Sequence, residues 1–208
     1  MIKEKANALL IIDVQNDFCP GGALAVKEGD KIIPLINSIQ NKFYKVVATQ
    51  DWHPHNHISF ASNHPGKKVY DEIDINNIKQ VLWPDHCLAG TKGAEFHPAL
   101  NIAEIHLILR KGTDANIDSY SAFMENDKKT FTGLEGYLKS LNIKQVFIVG
   151  LATDYCVYYT AMDALRLGFE TYVIIDACRG VDVPEGNIQR VICSMQNNGI
   201  KVIESNDI

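Results

Sequence analysis

The chain has 208 residues, 46% hydrophobic and 22% charged, which suits one domain (1–208) with a sizeable core and excludes a disordered chain. Twenty basic against 25 acidic residues leave a net charge of −5, and no Lys/Arg cluster is long enough to track a phosphate backbone, so nucleic acid is not an expected partner. The longest apolar stretch, Val146–Ala152, falls far short of a membrane span; Met1–Lys5 carries no signal peptide; and five cysteines without a Cys-x-x-Cys pair argue against a disulfide framework and for a reducing cytoplasm.

In chain order, Val- and Ile-rich runs alternate with helical patterns. A strand is predicted over 6–13, a helix over 29–42 and a strand over 44–50. A long stretch rich in His, Pro, Gly and Asn then reaches Ile105. It is far too long for a simple crossover, and long loops in compact domains tend to be functional. Next come a strand at 105–110, a helix at 132–141, a strand at 145–150, a helix at 154–167, a strand at 171–176, a helix at 185–198 and a strand at 200–203. The helix at 154–167 is the clearest, with Val157, Ala161, Ala164 and Leu165 at helical spacing and Gly168 as its stop. Strands apolar on both faces and joined by helices predict an α/β fold: a doubly wound, mainly parallel six-stranded sheet with helices on both faces.

The reactive residues fall where such a sheet builds its site. Asp13, Asp51, Lys111 and Cys156 each lie just past the carboxyl end of a different strand-like run. Cys156 sits in the first turn of a helix whose N-cap is expected to be Thr153, where unpaired N–H groups favour a thiolate and can hold an oxyanion. The commoner fate of a cysteine is a small buried hydrophobe. A Lys after a buried strand usually snorkels to solvent, but beside Cys156 and Asp13 its charge can hold the thiolate and orient the acid. Asp17 competes with Asp13 on composition; only Asp13 adjoins the strand. Asp51-Trp52-His53 puts two metal-ligand types on one side of an extended segment, with His55, His57, His64 and His86 as further candidates. Mixed Asp/His donors suit zinc, iron or manganese at an open site. Phe18, Trp52, Trp83 and Tyr120 lie in nearby loops, as core or as walls for a flat ring.

Five stretches together resemble the nicotinamidase family of the isochorismatase-like cysteine hydrolases, over essentially the whole chain. They are Asp13-Val14-Gln15-Asn16-Asp17-Phe18-Cys19-Pro20-Gly21-Gly22 with Leu24; Thr49-Gln50-Asp51-Trp52-His53-Pro54 with Asn56-His57-Ile58-Ser59-Phe60; Trp83-Pro84-Asp85-His86-Cys87 with Gly90-Thr91; Lys111-Gly112-Thr113 with Asp118-Ser119-Tyr120-Ser121-Ala122-Phe123; and Gly150-Leu151-Ala152-Thr153-Asp154-Tyr155-Cys156-Val157. The resemblance implies a Cys156 nucleophile, Asp13 as general base then acid, and Lys111 as third member. It implies an oxyanion hole at Ala152 and Cys156, preceded by a cis Leu151–Ala152 peptide. Phe18, Leu24, Trp83 and Tyr120 would wall a pyridine ring. Asp51, His53 and His86 would bind one divalent metal ion, zinc before iron or manganese, with His57 and His64 both open as a further ligand. The implied activity is hydrolysis of nicotinamide, and of pyrazinamide, in pyridine nucleotide (NAD) salvage, by a cytoplasmic monomer or homodimer with no membrane partner. Two rivals remain: an amidase of the same fold that acts on a non-aromatic carbamoyl group and needs no metal, and a metal- or nicotinamide-binding module without catalysis.

Overall fold

The computed structural model describes residues 6–75 and 77–208; the expectation for Met1–Lys5 lies outside them. Six parallel strands form one sheet: β1 (Asn7–Ile12), β2 (Lys45–Asp51), β5 (Leu107–Lys111), β6 (Gln145–Leu151), β7 (Glu170–Arg179) and β8 (Lys201–Ile203). Their order is β5-β2-β1-β6-β7-β8. From β1 the chain winds outward to β2 and β5. It then returns to the other side of β1 and winds out through β6, β7 and β8. Parallel neighbours require crossover connections, and the helices lie in these. The helices are α1 (Ile33–Ile39), α2 (Leu134–Ser140), α3 (Tyr158–Arg166) and α4 (Asn187–Asn197). Short helical turns at 29–32 and 40–42 extend α1 to the predicted 29–42.

The central strands are buried on both faces, as their apolar runs require: Ala8 through Ile12 and Val46 through Ala48 are all buried. Strand β5 departs from this expectation. It lies at the sheet edge, its burial alternates, and Ile108 is 48% exposed while Lys111 is 1% exposed. The alternation turns Lys111 inward at the last position of the strand.

The segment between β2 and β5 is not all loop. It holds an antiparallel hairpin, β3 (Glu72–Ile75) and β4 (Ile78–Val81). The hairpin was not legible because its residues, among them Asp74, Asn77 and Lys79, are poor strand formers. No helix among the described residues is long and apolar enough to cross a membrane.

Strands β1 and β6 are neighbours, with Ile12 opposite Gly150. The winding reverses between them, which opens a crevice at their carboxyl ends. Gly150 has φ +117°, and a Cβ there would lie 2.1 Å from the Ile12 carbonyl oxygen. Only glycine allows the two strands to approach here. The variant Gly150→Ala is expected to lose about 3 kcal/mol or more of stability, from backbone strain plus overpacking. The check is a lower urea midpoint at unchanged slope.

Candidate active site

Four adjacent strands deliver four side chains to the crevice in spatial order: Lys111 from β5, Asp51 from β2, Asp13 after β1 and Cys156 beyond β6. Asp51 and Lys111 are direct partners across their strands. The Lys111 ammonium meets all three others. It contacts Asp51 Oδ1, lies 2.9 Å from Asp13 Oδ2, and lies 3.5 Å from Cys156 Sγ. The Ser119 carbonyl accepts a further hydrogen bond from it at 2.9 Å.

Asp13 is buried and left-handed, with φ +49°. A non-glycine residue held there stores strain. Thr49 holds it twice: its hydroxyl accepts from the Asp13 N–H at 3.2 Å and donates to Oδ1 at 2.6 Å. Oδ2 faces Lys111 with no hydrogen bond of good geometry, which leaves a lone pair for the thiol side. Burial raises the Asp13 pKa, and the Lys111 charge only partly opposes this. Asp17, its rival in the sequence, is scaffold: its carboxylate accepts from the Cys87 N–H at 2.7 Å and the Ala23 N–H at 3.2 Å.

Two expectations for Cys156 need correction. Thr153 is not the N-cap; Ala152 holds that position, and residues 153–157 form a π-helical turn before α3. The Tyr155 and Val157 N–H groups both donate to the Ala152 carbonyl, which draws the turn wide. Nor does the resting site favour a thiolate. Burial pushes the Cys156 thiol well above its ordinary value, and Lys111 does not offset this because its charge is shared with Asp13 and Asp51. The Leu151–Ala152 peptide is cis, as expected.

Asp51, His53 and His86 bring their donor atoms within 4.8 Å of one another. His53 Nδ1 lies 2.8 Å from the Gly112 carbonyl, and His86 Nδ1 lies 2.8 Å from the Pro84 carbonyl. A carbonyl can only accept, so each Nδ1 carries the proton and each Nε2 presents a lone pair. Both Nε2 atoms face Asp51 Oδ2, at 3.5 and 3.8 Å. Burial would raise the Asp51 pKa, but the Lys111 ammonium opposes it, and the carboxyl is held well below its ordinary value and ionised. An ionised carboxylate and two aimed imidazoles make a set that fits a divalent cation with open positions. His57 lies beside it, its ring 4.1 Å from that of His53. Its Nδ1 is engaged by Ser59 and its Nε2 by the Ile117 carbonyl, and burial, then His53, lowers its pKa to about 4. His64 is tied to the Ile58 carbonyl at 2.7 Å.

A pocket opens over these groups. Phe18, Leu24, Trp83 and Tyr120 line it as expected, together with Asp51, His86, Ala152 and Cys156. Sequence reasoning missed Val26, Asp118, Tyr155 and Val181 in the same wall. It also missed Thr49 and Gln15 as supports. Gln15 is fully buried and clamps the Asp51 backbone, accepting from its N–H at 2.9 Å and donating to its carbonyl at 2.8 Å. Trp52 is not in this wall; the Arg110 guanidinium covers its ring at 3.6 Å.

A buried thiol beside an acid and an ammonium, below an aromatic pocket, is the equipment of covalent hydrolysis. The profile of the isochorismatase domain matches residues 7–207. The chain belongs to the isochorismatase family. Within it, the chain is 55% identical to the nicotinamidase of Acinetobacter baylyi, over 97% of this chain and 94% of that one. The solved nicotinamidase pyrazinamidase of Acinetobacter baumanii is 54% identical and superposes with a TM-score of 0.96 over 99% of both chains. The pyrazinamidase of Pyrococcus horikoshii, solved in complex with zinc, is 39% identical with a TM-score of 0.78, over 96% of this chain and 99% of that one.

Gly112 is pinned against this site. It has φ +63°, and a Cβ there would lie 2.3 Å from His53 Cε1. The variant Gly112→Ala is expected to displace the His53 ring and lower metal affinity by roughly 10- to 100-fold, as loss of an orienting partner does. Competition against a chromogenic chelator reads this directly.

Proposed function

We propose that the chain hydrolyses nicotinamide to nicotinate and ammonia through a Cys156 thioester, and accepts pyrazinamide as well. The observation that carries this reading is the Lys111 ammonium in contact with Asp13, Asp51 and Cys156 at the floor of an aromatic pocket. Close relatives with the same activity support it.

The first step follows from the charge balance. Burial raises the Cys156 thiol above its ordinary value, so attack needs a base beside it. Asp13 Oδ2 takes the Sγ proton as the sulfur bonds to the carboxamide carbon. The raised Asp13 pKa makes it a stronger base than an ordinary carboxylate. Lys111 balances the charge that passes between the two. The carbonyl oxygen, now negative, is received by the N–H groups of Ala152 and Cys156, a donor of this kind being worth about 3–4 kcal/mol. Asp13 returns the proton to the amide nitrogen, the C–N bond breaks, and ammonia leaves. Water then attacks the thioester carbon. Asp13 takes its proton and passes it to the departing sulfur, which releases nicotinate and restores the thiol.

Recognition is divided between rings and cation. Phe18, Leu24, Trp83 and Tyr120 all line the pocket, and a flat heterocycle would stack between the Phe18 and Trp83 rings. Asp51, His53 and His86 would hold one divalent ion, zinc first, with iron or manganese compatible with the same donors. Held there, such an ion would supply Lewis-acid chemistry toward a ring nitrogen, while the pocket walls and Cys156 are set by the chain itself.

Ammonia release from nicotinamide and pyrazinamide tests the reading. Wild-type protein is expected to release ammonia from both and to weaken on chelation. The variant Cys156→Ala is expected to lose roughly 10⁴-fold or more in kcat, with its metal content unchanged. Reduced, metal-replete wild-type protein that released no ammonia from nicotinamide would overturn the proposal.

A further inference from the structure

Gln80 is the one residue of the β3–β4 hairpin, among those described, that is buried, at 2% exposure. Its neighbours on β3 and β4 are partly or fully exposed. A buried amide on an otherwise solvated hairpin needs a reason, since a polar group is buried only where it is bonded. Its two Nε2 hydrogens serve three acceptors: one goes to Asp118 Oδ2 at 2.7 Å, and the other is shared between the Val81 carbonyl at 2.8 Å and the Tyr120 hydroxyl oxygen at 3.2 Å. A carboxylate and a carbonyl only accept, so the amide must present its nitrogen on this side. Asp118 and Tyr120 both line the substrate pocket.

The contacts tie the pocket wall together. Trp83 Nε1 also donates to the Tyr120 hydroxyl, at 3.1 Å. With Gln80 and Trp83 on its oxygen, the Tyr120 ring is held at a set angle beside the indole. The other Asp118 oxygen accepts from the Ser119 N–H at 2.8 Å, so Gln80 is its second donor. Asp118 is 4% exposed, and stripping a donor from a buried carboxylate forces it to move or take up water. Asp118 also lines a second cavity, together with Gln80 itself. Asp118 is thus the wall residue common to both cavities, and Gln80 bonds to it from the second.

We propose that Gln80 is a positioning residue for substrate binding: it acts through Tyr120 and Asp118 to set the pocket wall. Asp13 and Lys111 are placed by strand ends and Cys156 by the turn before α3, and Gln80 bonds none of them, so loss of the amide falls on binding before chemistry. The proposal rests on the amidase reading above.

The test is steady-state kinetics on nicotinamide with Gln80→Met, which keeps the length of the side chain and removes its donors. KM is expected to rise about tenfold with kcat within about twofold of wild type, the pattern of lost binding rather than lost chemistry. Tyr120→Phe is then combined with it. If Gln80 acts through Tyr120, the double variant raises KM by clearly less than the product of the two single effects. Should Gln80→Met fail to fold, Gln80→Glu keeps the length and exchanges a donor for an acceptor beside Asp118, and is expected to raise KM at least as far. Unchanged KM in either folded variant, kcat falling while KM holds, or full additivity with Tyr120→Phe overturns the proposal. Wild-type protein without turnover overturns the amidase reading and this one together; normal wild-type turnover with an unchanged variant KM overturns this one alone.

Discussion

The site depends on one buried ammonium. Lys111 is 1% exposed, and taking such a charge out of water costs several kcal/mol unless it is fully paired. Two carboxylates and a backbone carbonyl supply the pairing. The pairing works in both directions. Asp13 and Asp51 are themselves buried, and without Lys111 they would be two like charges in one low-dielectric crevice. With it, their fates separate. Asp51, also close to His53, is held ionised, while Asp13, fully buried, keeps a raised pKa. One cation thus allows a ligand-type carboxylate and a base-type carboxylate to stand side by side.

The sheet makes this possible because it fixes origin and reach. Lys111 starts from an edge strand, two strands away from Asp13. Only a long, unbranched side chain spans that distance above β2 and still meets the thiol beyond β1. The shorter acids come from the nearer strands. Each is also fixed from behind: Asp13 by Thr49, the Asp51 backbone by Gln15, His53 by the Gly112 carbonyl. Rigid strands and backbone acceptors keep these groups within the narrow tolerance that catalysis needs.

Most of this frame was legible in the sequence, because buried parallel strands leave long Val/Ile runs and the reactive residues follow them directly. The sheet, the helix positions, and the meeting of Asp13, Asp51, Lys111 and Cys156 all follow from that single regularity. What was not legible depends on depth and on small contacts. The thiol was expected to be ionised because a helix start and a lysine both favour the anion; the burial that outweighs them is a tertiary quantity. Thr153 has the composition of a cap, but the wide first turn moves that role to Ala152. Gln15, Thr49 and Gln80 act through bonds to residues 36 or more positions away, and no local pattern marks them.

The molecule also divides its labour by segment. The strand ends carry the bond-making groups. The stretch between β2 and β5 carries His53, Gln80, Trp83 and His86, which shape and polarise the pocket above them. Among its described residues the hairpin buries one side chain, the Gln80 amide, beside the half-buried Val81 that packs against the core. A wall held by a few hydrogen bonds can be reshaped by substitution at low cost to the core, whereas a sheet buried on both faces cannot. Substrate choice can therefore change in this segment while the Lys111 cluster stays as it is. That separation is what a fold needs to serve several related hydrolyses with one nucleophile.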